Sequence, residues 1–382
     1  MASTIADDSL AVSAVRLAEA EREGAYAVAI VEPAVATAAL QQASGNHRTA
    51  IDHLRRAIHL RRIAEGLDTP SQIPLLERLL NSQLEIGDTA AAGIAQERLF
   101  MLRLGTAVDP VQRLKAVQQY SDWHRERYLS RESARPYLHL LAIHGAHGRE
   151  IERLVSDPGA DTSVQIAHLY GQLRVEYLVS DYRGGRTPVL QMHAGEGGTA
   201  AFAAVTDLEG ERFRLMRKNN YGNGRATVER ILDILERRSE PSIAEAARAR
   251  IALGDWHMWW NGPALALANY RKAWHLYSED GDPFTDPDSL FERPVVLPVE
   301  PLSTSRFSAE DPARHARARV SFSVSRLGEA RTIRLLDIDA SHDDGADIVM
   351  QRMLRGSRFR PVFENGDAVA ARGIERTFSI SY

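Results

Sequence analysis

Apolar residues recur along most of the chain at the three-and-four spacing of helices that hide one stripe. Ala50, Leu54 and Ala57 make one such stripe, Leu76, Leu79, Leu80 and Leu84 a second, and Val228, Ile231, Leu232 and Leu235 a third. The first two adjoin a repeated frame, Gly45-Asn46-His47-Arg48-Thr49-Ala50 and Gly87-Asp88-Thr89-Ala90-Ala91-Ala92, whose glycines lie 42 residues apart. A glycine between two helical patterns supplies a tight turn, and an alanine five positions on, Ala50 or Ala92, lets the second helix approach the first closely. The pattern predicts helical hairpins. Between them, 107–153 and 162–238 keep helical periodicity and predict degenerate hairpins, interrupted at Gly184-Gly185 and Gly195-Glu196-Gly197-Gly198.

Near the C-terminus the period changes to two. Val320, Phe322 and Val324 alternate with Ser321, Ser323 and Ser325, Leu327-Gly328-Glu329 turns the chain, and 332–338 returns as a second strand. A helix over 346–354 and a final alternating strand over 374–380 complete the order β-β-α-β. Six of the 16 prolines crowd into 283–312, a density that no continuous helix or central strand accepts. The chain thus divides into a helical region 1–280, a proline-rich linker 281–312 and an α+β unit 313–382.

A third hairpin carries the most specific pattern. Gly254, Trp256, Asn261, Ala266, Tyr270 and Ala273 follow the small, turn, small, aromatic, small spacing of a tetratricopeptide repeat, and this region resembles that family. The first copy keeps the offsets loosely with Ala38, Ala50, Leu54 and Ala57, and the second departs with Gln96 and Leu99. Repeats are expected near 30–62, 72–104 and 247–280, stacked as an α-solenoid. In the C-terminal unit, Val-x-Phe-x-Val-x-x-x-Gly, an acidic-Gly stretch before the helix, Arg-Phe-x-Pro at 358–361 and Asn-Gly-x-x-Val at 365–369 resemble the TonB C-terminal domain. That resemblance covers under a fifth of the chain, and the membrane anchor, the long proline-rich spacer and a Tyr-Pro element of an energy transducer are missing from the sequence.

Composition narrows the partners. With 47 basic against 51 acidic residues the formal charge is −4, so no positive excess recruits nucleic acid or anionic membrane. The absence of cysteine excludes disulfides, thiolate metal sites and Cys nucleophiles. The apolar stretch 25–40 is broken by Glu32 and Pro33 and falls short of a membrane span. The N-terminus has no basic n-region followed by an apolar core. The expectation is a cytoplasmic chain, or a periplasmic one whose export signal precedes residue 1.

Asp337-x-Asp339-x-Ser341-x-Asp343-Asp344-Gly345 places oxygen ligands at alternate positions, but a calcium loop needs a bidentate Glu at its twelfth position and Ile348 stands there. The segment reads instead as a strand-to-helix turn capped by Asp343 or Asp344. Asp282, Asp286 and Asp288 are separated by prolines that hold the backbone extended. His139, His144 and His147 lack a completing carboxylate nearby and read as surface histidines. Gly195–Gly198 fits neither nucleotide-binding fingerprint. Four of the five tryptophans, Trp256, Trp259, Trp260 and Trp274, fall in the third hairpin, where they are expected to fill the helix seam. No Gly-x-Ser-x-Gly elbow or His-Glu-x-x-His helix is present, and no catalytic residue, metal or cofactor is assigned.

The expected function is therefore a non-enzymatic scaffold of the bacterial cell envelope that binds protein or peptide partners. The tetratricopeptide resemblance implies a groove lined by the first helix of each hairpin: Gln42, then Glu77, Asn81 and Glu85, then Asp255 and Met258. The same resemblance makes Gly45, Ala50, Gly87, Ala92, Gly254, Ala266, Tyr270 and Ala273 packing positions. The TonB resemblance puts the last strand at a sheet edge, with Thr377, Ser379 and Ser381 on one face, open to strand addition. The competing readings are a hydrolase or sugar-modifying enzyme with paired carboxylates in a solenoid groove, and a structural subunit that self-associates through the TonB-like domain.

Overall fold

The computed structural model describes residues 2–22, 24–130, 133–157, 159–182, 207–240, 242–280, 291–299, 315–340 and 345–381. It is a mostly helical body followed by a small β region. Contacts group the chain into two compact units, 1–123 and 124–382, and the C-terminal strands belong to the second unit together with the helices from 124 onward. Gly184-Gly185, Gly195–Gly198, the Asp282, Asp286 and Asp288 group, and Ser341, Asp343 and Asp344 lie outside the described residues.

In the first unit, α1 (Ala2–Glu21) packs on α2 (Val31–Ala43). Helices α2 and α3 (His47–Glu65) form one hairpin, α4 (Ile73–Glu85) and α5 (Thr89–Thr106) a second, and α3 packs against α4. Helix α6 (Pro110–Leu129) runs across the division. In the second unit, α7 (Tyr137–Val155) packs on α8 (Thr162–Ser180) and α8 on α10 (Asn220–Glu236), which follows α9 (Leu208–Lys218). Helix α10 packs on α11 (Ile243–Trp259), and α11 pairs with α12 (Pro263–Asp280) as a third hairpin.

The three hairpins share one turn. Gly45 and Gly87 both have φ of 74°, and Asn261 stands at the corresponding place with φ of 59°. In each, the amide of the left-handed residue donates to a carbonyl three residues back, and the next amide reaches five back: Gly45 to Gln42 and Asn46 to Gln41, Gly87 to Leu84 and Asp88 to Gln83, Asn261 to Met258 and Gly262 to His257. This pairing satisfies carbonyls that the end of the first helix would otherwise leave without donors. Only residues that tolerate positive φ close it cheaply, which is why Gly or Asn occupies the position.

Past the turn, small residues sit at the helix contact. Ala38, Ala50, Leu54 and Ala57 are fully buried in the first hairpin, Ala92 and Leu99 in the second with Gln96 also buried, and Ala266, Tyr270 and Ala273 in the third. A Cβ at Gly254 would stand 2.4 Å from the Tyr270 ring, so the ring takes the space that a side chain there would need. Trp256 is fully buried and donates its indole N–H to the Tyr221 carbonyl at 2.9 Å, and Trp259 donates to Ser180 Oγ at 2.8 Å. Trp260 remains 40% exposed.

The β region contains a three-stranded antiparallel sheet in the order β3-β2-β7, made by β2 (His315–Val324), β3 (Ala330–Ala340) and β7 (Ala371–Ser381). Helix α13 (Ala346–Gly356) packs on one face, where Met350 and Leu354 meet Phe322, Val320 and Phe359. Gly345, with φ of 91°, is its N-cap. Asp337 and Asp339 are strand residues of β3, not members of a loop, because the alternating run continues through them. The other strands are short: β1 (Val295–Leu297) pairs with β4 (Arg358–Arg360), and β5 (Val362–Glu364) with β6 (Asp367–Val369). Strand β1 forms inside the proline-rich stretch, where no regular structure was expected. Pro294 and Pro298 flank its three residues, so no ladder donor is lost.

Candidate functional site

The face of α11 turned away from the hairpin seam is covered by the chain's own β region. Asp255 on α11 is 5% exposed and receives Arg360 of β4 in a forked ion pair, Nε to Oδ1 at 2.9 Å and Nη2 to Oδ2 at 2.6 Å. Tyr270 from α12 also donates to Asp255 Oδ1, at 2.8 Å. Burial alone disfavours the charged guanidinium, but the Asp255 charge and its hydrogen bonds outweigh burial and raise the Arg360 pKa. The Tyr270 and Tyr177 hydroxyls are held well above their ordinary range by burial and by the nearby Asp255 charge.

Around this pair the contact is apolar. Met258 is fully buried, and a Cβ on Gly328, in the turn between β2 and β3, would meet the Phe359 carbonyl at 2.2 Å and Met258 Sδ at 2.8 Å. Phe291 and Phe363 pack on the Tyr270 ring, in a cluster with Leu297, Ala266 and Ala273. Arg358 donates to the Asn261 side chain at 3.1 Å, so β4 engages the turn as well as the helix. Asp255 and Met258, expected to line an open groove, are thus buried, because a segment of the same chain occupies that face.

Beside Asp255 lies a cavity of about 240 Å³ whose lining includes Tyr170, Tyr177, Arg125, Arg174, Pro298 and Val299. Among the described residues of its lining Asp255 is the one carboxylate, already held by Arg360, so the described lining holds no carboxylate pair for acid-base work.

The corresponding positions in the first unit are differently disposed. Asn81 on α4 stands six residues before its turn residue Gly87, as Asp255 stands six before Asn261. Asn81 and Glu85 are exposed, and Glu77 is half-buried and paired with Arg103. These three residues recur every four positions along one side of α4. Gln42 serves packing: its amide donates to the Arg78 carbonyl at 3.0 Å and to Ser82 Oγ at 2.7 Å, and its oxygen accepts from Arg78 at 2.7 Å. It ties α2 to α4.

At the sheet, β7 pairs with β2 on one side, and among the described residues no strand pairs with its other side. Thr377 and Ser379 are exposed and lie opposite Arg319 and Arg317, while Phe378 turns to the core. The Ser381 side chain lies outside the described residues, although its backbone pairs with His315.

The histidines read as surface residues belong to helix packing instead. His147 is buried against His168 with their Nδ1 atoms 3.1 Å apart, and His139 meets His124 at 2.9 Å. Burial and the partner ring push His147 down to about 3 and His139 down to about 4, so each stays neutral and shares one proton with its partner. His144 Nε2 lies 3.6 Å from Glu176, a buried carboxyl raised to about 7 by burial against the opposing hydrogen bond from Asn220. Sequence spacing missed these contacts because each partner comes from another helix. No group of three or more His, Asp or Glu side chains suited to a metal comes together among the described residues.

No family model matches the chain, and no curated protein matches it. Among solved structures, the crystal structure of BtubC (BKLC) from P. vanneervenii is similar at 13% identity, over 74% of this chain and 94% of that one, with a TM-score of 0.33. The functional reading therefore rests on this chain's own residues.

Proposed function

We propose that the chain is a non-enzymatic binding protein of the tetratricopeptide-like class, whose first-helix faces receive extended segments of protein partners, with a C-terminal unit akin to that of TonB. The observation that supports this most is the occupation of the α11 face by Arg360 and its strand: a hairpin of this chain holds an extended segment through one acidic residue and a shallow apolar seat. The α4 face has the same turn and the same register, an exposed polar residue at the Asp255 position, and two acidic neighbours in Glu77 and Glu85. It suits a segment carrying a basic residue.

A second binding mode rests on the free side of β7, where Thr377, Ser379 and Ser381 would face a peptide added as a further strand. The proposed division is a helical repeat region over 1–280, a proline-rich connection over 281–312 and a TonB-like unit over 313–382, acting in the cell envelope. No helix among the described residues is long and apolar enough to cross a membrane.

Fluorescence anisotropy with a labelled heptapeptide copying 357–363, Ser-Arg-Phe-Arg-Pro-Val-Phe, tests the α4 assignment in the full chain. Asn81→Asp, which reproduces Asp255, should tighten binding about tenfold, and Glu85→Arg should weaken it by a similar factor. Identical affinity in wild type and both variants would remove α4 as a binding face. A Ser379→Pro variant that stays folded and keeps every peptide interaction would remove the strand-addition mode.

A further inference from the structure

The face of the sheet opposite α13 carries charge in two arrangements. At one end Arg317 and Arg319 of β2 stand opposite Asp339 and Asp337 of β3, so each cation faces an anion across the strands. At the other end the partners are hydroxyls: Arg334 stands opposite Ser321 and Arg331 opposite Ser323, while Arg372 approaches from β7. The three arginines are exposed and, with Ser321, Ser323 and Thr332, line a cleft of about 550 Å³ whose described lining residues include no acidic one. Glu329 pairs with Arg331 at 2.8 Å from outside the lining, and Glu375 stands opposite Ser321 on β7.

Of the three register shifts in this sheet two fall at the same place, the third lying between Arg319 and Val320. Between Ser321 and Ser323 strand β3 spends one residue more than β2, and between Phe322 and Val324 strand β7 does the same. Both neighbours of β2 therefore bulge at one level, with Thr332 at φ of 53° and Gly373 at φ of 65°. A β-branched residue in the left-handed region is strained, and such strain gathers at ligand sites. Paired bulges bend their strands and re-aim side chains, here bringing Arg331, Arg334 and Arg372 from two strands to one cleft.

We infer that this cleft binds a phosphate monoester. Three guanidinium forks match a doubly charged, three-oxygen group better than a single carboxylate, which one fork satisfies. The Ser321 and Thr332 hydroxyls supply neutral donors between the forks, while Ser323 Oγ donates to the Arg331 carbonyl at 3.1 Å and helps hold that bulge. The cleft exceeds the size of a bare phosphate and has room for the organic part of a small ester. A soluble metabolite and a lipid headgroup carry the same group, and experiment separates them.

Isothermal titration of the full chain with glycerol 3-phosphate, at fixed ionic strength, should show saturable binding that acetate at equal concentration does not displace. Arg334→Gln and Arg372→Gln should each raise Kd at least about tenfold, and Arg317→Gln at the far end should leave it unchanged. These side chains are exposed, so the variants keep their fold, which thermal melting verifies. Co-sedimentation with phosphatidic acid vesicles but not phosphatidylcholine vesicles, lost in the Arg334→Gln/Arg372→Gln double variant, assigns the ester to a lipid; binding of the soluble ester alone assigns it to a metabolite. No binding of either ester, equal displacement by acetate, or affinity unchanged in the double variant would overturn the inference.

Discussion

The second and third hairpins are built alike at the turn and differ at the face that turn presents. Both close through a left-handed residue with the same pair of backbone hydrogen bonds, and both bury an alanine five positions beyond it. Yet Asn81 is exposed on α4, while Asp255 on α11 is clamped by Arg360 beneath a strand of the same chain. Turn and seam set the backbone alike, and the two outer faces differ in the side chains they carry and in what covers them. The difference extends to buried charge. Among the described residues the buried carboxylates Glu150, Glu176 and Asp255 all belong to 124–382, where each depends on a specific partner.

The strongest way to break the comparison is to remove one half of the ion pair. Asp255→Ala or Arg360→Ala leaves a buried charge without its partner and should cost about 3–5 kcal/mol in urea unfolding. Asp255→Leu combined with Arg360→Met should cost clearly less than either single change, because no charge is then stranded. A charge introduced at exposed Asn81, Asn81→Arg, should leave stability within about 0.5 kcal/mol.

A smaller effect comes from pH. The Glu176 carboxyl titrates at about 7 in the folded chain against 4.5 for the ordinary group, so between those values the folded state holds the proton more firmly than the unfolded state. Its contribution is full below about pH 4.5 and is lost as pH rises through 7. Glu176→Gln, which keeps an acceptor for Asn220, should flatten that decline and stabilise the chain by about 2–3 kcal/mol at pH 8. His139 and His147 act in the opposite sense: their depressed values mean that stability is lost as pH falls from 6.5 toward about 4 and 3. A stability profile in which Glu176→Gln parallels wild type would show that this carboxyl is not buried as described.

Next in size are the seam residues. Ala266→Leu or Gly254→Ala should overpack the contact with Tyr270 and cost about 1–3 kcal/mol, read as a lowered Tm. An unchanged Tm for both would place the helix contact elsewhere. The smallest test concerns the shared turn: Gly87→Ala meets no atom within 4 Å of the new Cβ, so only the left-handed backbone opposes it, at about 1 kcal/mol. Asn261→Gly should stabilise by less than that, since asparagine already tolerates the conformation.

Hairpin turns and seams were legible because they depend on local spacing: a residue free to adopt positive φ, then alanine at a fixed offset. The first two strands, the helix and the last strand were legible from the change of period at Val320, but the short strands β4, β5 and β6 between helix and last strand were not. What the sequence hid was long-range. Nothing near Asp255 announces that Arg360, 105 positions away, will neutralise it, and the alternation of β2 does not reveal that both neighbouring strands bulge beside Ser323. The histidine contacts are long-range in the same way, since His147 and His168 meet only when α7 packs on α8. The prolines at 294 and 298 signalled a break, but three residues between them suffice for a strand when β4 is there to receive it.

The central claim is that a first-helix face of this chain seats an extended segment through an acid–arginine pair, and that α11 is filled in cis while α4 is open. Calorimetric stoichiometry of the 357–363 heptapeptide tests it most directly, with circular dichroism confirming that the helices persist. Wild type should bind one peptide, Arg360→Glu should vacate α11 and bind two, and adding Asp255→Ala should return the value to one. A stoichiometry that stays the same in all three proteins would contradict the claim.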